Sequence, residues 1–275
     1  MAVRRSALTG FFLVLAVLWL TPAVWVLVTS LKQTKDIVRV PPEWIPNPAT
    51  LVHYSEVFVS ARTASVGRAF LNSTVVAVAT VIGVILISAL AAYPLARMQF
   101  PGRNAVFAML VGSLMVPNII GLIPLYILFQ GIGWLSTYQA LILPELATAF
   151  GVFLLRQFFL SLPSELEDAA RIDGANSFQV FWRILMPLSQ PALAALAIFS
   201  FRFSWNDFTW PLIAMNKQEM FTLPVALSLL RGAYTSESYG PIMAGAVVSA
   251  LPLLIVFLIA NRHIVEGVQL SGLKG

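Results

Sequence analysis

The side chains that perform chemistry are scarce in this chain. There is no cysteine, and His53 and His263 are the two histidines. Disulfides, thiolate metal sites, a cysteine nucleophile and two-histidine zinc motifs are therefore excluded. No Ser-His-Asp set or paired-acid motif is evident. An ATP-binding loop of the G-x-x-x-x-G-K-[ST] type needs a Gly-Lys pair, and none occurs. The expectation is no catalytic residue, no metal site and no cofactor on this chain. One polar stretch stands out. Residues 161–190 gather Glu165, Glu167, Asp168, Arg171, Asp173 and Arg183 between two apolar runs.

Within that stretch, Ser164-x-x-Glu167 has the spacing of a capping box that opens a helix running to Asp173. Gly174 supplies the left-handed residue that ends it. A second helix begins at Asn176, with Gln179 as its capping partner, and presents Phe178, Phe181, Ile184 and Leu185 at helical spacing before Pro187 stops it. The segment reads as helix, glycine turn, helix. It is too polar to cross a bilayer and carries an apolar stripe, so it lies on a membrane surface or docks in a partner's groove.

What positions this hairpin is membrane. The chain has 275 residues, 59% hydrophobic and 11% charged, with mean hydropathy +0.84. Soluble domains carry about 25% charged residues, so lipid must solvate much of the surface. Runs long and apolar enough to span fall near 8–31, 70–96, 105–129, 140–160, 191–215 and 243–261. The fold class expected is all-α, a polytopic membrane bundle of about six helices forming a single transmembrane domain over 1–275. The first run follows Arg4 and Arg5 but exceeds a signal peptide's apolar core and lacks a small-x-small cleavage site, so it reads as a retained helix. The net charge of +5 comes from cations scattered between apolar runs, which argues for juxtamembrane anchors and against a nucleic-acid surface.

Arg4, Arg5, Arg97, Arg103, Arg262 and Lys274 fall on one side if the spans alternate, which places both termini in the cytoplasm. Lys32, Lys35, Arg39, Arg62 and Arg68 oppose them from the long first outer loop. That loop contains Pro41, Pro42, Pro46 and Pro48, too much proline for a helix, and Trp44 and Tyr54 suit packing at a membrane interface. Ionisable residues inside spans are costly, and four stand out: Glu145, Arg156, Arg202 and Asp207. Arg156 fits snorkelling to headgroups. Glu145 and Arg202 read as a structural pair or as lining of a path, and Asn206 and Asp207 as path or gate residues. Pro94, Pro117, Pro124, Pro144 and Pro211 interrupt spans and mark kinks.

The sequence Glu167-Asp168-Ala169-Ala170-Arg171-Ile172-Asp173-Gly174-Ala175, followed by Ile184-Leu185-Met186-Pro187, resembles the "EAA" loop of binding-protein-dependent ABC transporter permeases. The family pattern of E-A-A, three residues, Gly, nine residues and I-x-L-P falls on Asp168, Ala169, Ala170, Gly174, Ile184, Met186 and Pro187, with Asp168 for Glu and Met186 for Leu. The stretches 48–54, 91–97, 100–103, 153–159 and 205–208 are similar to the carbohydrate-uptake type, and the Gly-rich tail 271–275 to its shorter maltose-like permease.

The resemblance implies a type I importer permease in a prokaryotic inner membrane. It implies a second, different permease, a dimeric ABC ATPase that binds ATP and magnesium, and an extracytoplasmic solute-binding protein. It makes 161–190 the coupling loop, with Glu167, Asp168, Ala169, Ala170, Asp173, Gly174, Phe178, Phe181, Ile184 and Pro187 at the ATPase contact. The solute implied is a sugar, while relatives of this type also move glycerol phosphates and phosphodiesters, polyols or amino sugars. An ion-driven secondary transporter is the different-class alternative. It calls for inverted repeats and mid-membrane acids, of which Asp207 alone is in evidence.

Overall fold

The computed structural model describes residues 2–59, 65–233 and 239–272, with side chains placed over 8–59, 65–230 and 239–259. Arg62 and the tail residues Leu273, Lys274 and Gly275 lie outside the described residues. All regular structure among the described residues is helical. Three helices are long and apolar enough to cross a bilayer, over Leu8–Ser30, Val66–Arg97 and Tyr239–Ile259. Three bent pairs pass the same test of length and composition together: Arg103–Ser113 with Asn118–Gly131, bent by 90°, Tyr138–Leu146 with Ala149–Ser161, bent by 43°, and Ser177–Leu188 with Gln190–Asn206, bent by 76°. The described residues thus hold three to six candidate crossings.

The breaks have local causes. Pro117 is extended and starts a 3-10 turn over Asn118–Gly121, which divides the run expected at 105–129. Pro187 and Pro191 each remove an amide donor around Ser189, where the 76° bend falls. Pro94 and Pro144 sit inside continuous helices instead. The run expected at 191–215 is not one helix. It ends at Asn206, Asp207 is extended, and a short helix resumes at Thr209.

The chain forms two compact units. The first takes in 1–70 and 221–252. Here α1 (Ala2–Ser30) has none of its most apolar window buried within the protein, as befits a helix solvated by lipid. Its C-terminal end is tied to α3 (Val52–Val59), which follows the short α2 (Thr34–Ile37) and the proline-rich loop. The Ser30 hydroxyl bonds that of Tyr54 at 2.8 Å, Thr50 N–H donates to Leu31 O at 2.9 Å, and buried His53 Nε2 lies 2.9 Å from Lys32 O. Gly240 faces the His53 ring so closely that a Cβ there would collide with it.

The second unit takes in 71–220 and 253–275. Its core joins most of α4 (Val66–Arg97) to α8 (Ala149–Ser161), α12 (Gln190–Asn206) and the 161–190 hairpin. Small residues let these backbones approach, as lipid-solvated helices require. Ala89, Ala92 and Ala96 are buried, and Gly151 leaves no room for a Cβ against Ser88. In sequence order α5 (Arg103–Ser113), α6 (Leu122–Gly131) and α7 (Tyr138–Leu146) precede α8. Beyond α12, α13 (Thr209–Ala214) is held by Trp210 Nε1 donating to Ala140 O at 2.7 Å. Extended Asp207 lies just ahead of α13, with its carboxylate near the backbone N–H groups of Phe208, Thr209 and Trp210.

Candidate functional site: the 161–190 hairpin and the buried acids

The hairpin forms α9 (Glu165–Ile172), a glycine turn, and a second arm. That arm begins as α10 (Ser177–Val180), widens into a π turn over Phe181–Leu185 and ends as α11 (Met186–Leu188). Gly174 has φ +85°, as its place in the turn demands. Ala175 N–H donates to Ala170 O at 2.9 Å and Gly174 N–H to Arg171 O at 3.0 Å, so the left-handed residue closes a Schellman motif. The Asn176–Gln179 capping box is present with both bonds at 2.9 Å. Pro187 does not stop the second arm, which runs on to Leu188. A helix ends more readily at Ser189, between the two prolines.

The box expected at Ser164 does not form, because Ser164 makes no side-chain cap. Glu167 turns inward instead, where its carboxylate lies 2.7 Å from Arg97 Nε at the end of α4, with the two side chains 8% and 13% exposed. Arg97 also donates to Leu162 O at 2.7 Å, just ahead of the hairpin. A near-buried cation selects the one carboxylate that reaches it, and that pairing outweighs a cap in solvent. Glu167 therefore faces its own helix bundle.

Phe181 is likewise an internal residue. Its ring packs 5.3 Å from that of Tyr93 on α4, and it is buried with Val180 and Leu185 in the core shared by α4, α8 and α12. The outward face is made of other residues. Ile172 is 86% exposed and Phe178 68% exposed. Asp168, Ala169, Asp173 and Pro187 are exposed, while Ala170 and Ile184 are half-buried. Ala170, Asp173, Gly174, Ala175, Gln179, Arg183 and Ile184 line a shallow open depression. The segment is thus two-sided, one face fixed to the helix bundle and the other apolar, open and charged at its rim.

Arg97 and Tyr93 were not among the sequence-derived site residues. The sequence marks Arg97 only as a cation at the end of an apolar run, and Glu167 is one of three acids in its turn, so the spacing does not single out their pairing. The Arg156 guanidinium lies over the Phe107 ring at 3.8 Å from the centroid, and its Nε donates to Leu95 O at 3.1 Å.

The ionisable residues in the spans are arranged differently from expectation. Glu145 and Arg202 do not pair. The Glu145 carboxyl stands among the hydroxyls of Ser204 and Thr80, with Asp207 near it. Arg202 is exposed on α12, and its carbonyl accepts from Asn206 Nδ2 at 2.9 Å. Asp207 lies at the break between α12 and α13. No group of three or more metal-ligating side chains occurs among the described residues.

The helical membrane bundle superimposes on a chain of a bacterial ABC transporter involved in the import of the acidic polysaccharide alginate, with TM-score 0.80, 22% identity and 95% of each chain covered, a likeness of fold. Residues 83–269 match the family described as "Binding-protein-dependent transport system inner membrane component", and the chain belongs to that family.

Curated relatives span its whole length. The arabinooligosaccharides transport system permease protein AraQ of Bacillus subtilis is 35% identical over 274 residues, covering 100% of this chain and 97% of that one. The diacetylchitobiose uptake system permease protein NgcG of Streptomyces coelicolor is 34% identical, with 97% and 88% covered. The sn-glycerol-3-phosphate transport system permease protein UgpE of Agrobacterium fabrum is 34% identical, with 90% and 89% covered. The chain is a multi-pass membrane permease, as its sequence pattern implied.

Proposed function

We propose that this chain forms, with a second and different permease, the translocation path for a carbohydrate handed over by an external solute-binding protein. ATP is hydrolysed by a separate dimeric ATPase that docks on the 161–190 hairpin. The observation that carries the coupling role is the hairpin's two-sidedness. Glu167 and Phe181 fix one face to Arg97 and Tyr93 at the end of α4, while Ile172, Gly174 and Phe178 leave the other open. A push on the open face is then delivered to α4, α8 and α12, because close-packed interiors pass displacement on rather than absorb it.

The carbohydrate class is supported by the AraQ and NgcG relatives. The UgpE relative favours glycerol 3-phosphate as the second reading. In a deletion strain we expect labelled oligosaccharide uptake to be lost and glycerol 3-phosphate uptake kept. The reverse pattern selects the second reading, and loss of neither overturns both. The tagged chain purified in mild detergent should also bring down an ATPase and a second permease. A chain recovered alone that still transports in vesicles on an ion gradient would establish the secondary-transporter alternative.

A further inference from the structure

The proline-rich loop after α1 folds back against the helix it has just left. Trp44 packs edge-on against Trp25 with ring centroids 4.9 Å apart, and the Lys32 ammonium lies 4.2 Å from the Trp25 ring centroid on α1. Lys32 is 1% exposed, so this clasp is firm. Trp25 precedes the end of α1 by five residues, which is about 8 Å along the axis. The 23-residue span Leu8–Ser30 is about 34 Å long, against a hydrocarbon core of about 30 Å. If the span is centred, the Trp25 backbone lies about 6 Å inside the hydrocarbon boundary. A ring resting on Trp25 therefore sits at or just inside that boundary.

The residues around this contact suit lipid. Val40 is 89% exposed and Ile45 81% exposed. None of the most apolar window of α1 beside them in the chain is buried within the protein. Two cations occupy the rim: Lys35 is exposed, and Arg39 pairs with Glu43 at 2.7 Å. Apolar tips at the hydrocarbon edge with cations and a tryptophan at headgroup depth have the chemistry of an interfacial anchor.

From these contacts we infer that Val40–Ile45 is a membrane anchor, in which Val40 and Ile45 insert into the leaflet at the C-terminal end of α1 and Lys35 and Arg39 meet lipid phosphates. This rests on α1 crossing the membrane and is independent of the coupling role.

This chain has no cysteine, so Ile45→Cys or Val40→Cys, labelled on the purified chain before assembly with its partners, gives one labelled position. Each is labelled with an environment-sensitive fluorophore, and the purified permease complex is placed in phosphatidylcholine nanodiscs. A spin label at carbon 5 of the lipid chain should quench at least twofold more than aqueous iodide at both sites. Adding Trp44→Ala should release at least half of that lipid quenching. Dominant iodide quenching at both sites would overturn the anchor. So would shielding that appears only when solute-loaded binding protein is added, since the loop would then be a protein-docking surface. Lipid quenching unchanged by Trp44→Ala would overturn the role given to the Trp25 clasp.

Discussion

Removing the Glu167 carboxylate tests the link between hairpin and helix bundle most directly. The pair with Arg97 is short, at 2.7 Å, and nearly buried. Deleting one partner of a buried pair costs about 3–5 kcal/mol, because the other charge is left without compensation. Arg97 keeps its bond to Leu162 O, which places Glu167→Ala at the lower end, about 3 kcal/mol. At about 1.4 kcal/mol per decade, the docked hairpin loses roughly a hundredfold in population against its detached form. Glu167 lies on the hairpin and not in a span, so the variant should insert normally.

Hydrogen exchange over 165–175 should then speed up by as much as a hundredfold while the middle of α4 is unchanged. Stimulation of ATP hydrolysis by loaded binding protein should fall with it. Arg97→Ala should do the same. The double variant should lose less than the sum, by about 0.5–3 kcal/mol, as expected for side chains in contact. Unchanged exchange in both single variants would refute the pair as the hairpin's tether. A loosened hairpin with full stimulation would refute its part in coupling.

The remaining expectations concern close approaches and the open face. Gly174→Val should cost about 1–2 kcal/mol through its positive φ alone, since a Cβ there meets no atom of the chain; a large loss of ATPase retention with normal abundance then reports the partner's surface. Asp168→Ala, on an exposed carboxylate, should weaken ATPase retention by about tenfold if it meets a cation there, and retention equal to the parent would remove that contact. Gly240→Ala should lower the melting temperature by pushing the His53 ring, an overpacking cost of about 1–3 kcal/mol, and His53→Ala in the same chain should recover part of it. Gly151→Leu should separate α4 from α8 at Ser88 and reduce thermal stability and stimulated hydrolysis together, and a variant unchanged in both would remove that packing from the path.

The sequence alone determined the solvent and the hairpin. Apolar runs of bilayer length follow from composition. The turn was readable because Gly174 and the Asn176–Gln179 box act through the backbone of their own neighbours, and local rules suffice for that. The family pattern was readable for the same reason, as it is a spacing along the chain.

Which way each hairpin residue points was decided only by tertiary structure. Glu167 matched a local capping rule, yet Arg97 lies seventy positions earlier in the chain and only folding brings it within 2.7 Å. Phe178 and Phe181 look alike in sequence, but the π turn and Tyr93 bury one and leave the other open. Glu145 found hydroxyls on two other helices, not Arg202. Burial and charge pairing depend on contacts distant in sequence, so a carboxylate's partner is set by the geometry of the whole bundle, where an unpaired charge is costly enough to override a local preference.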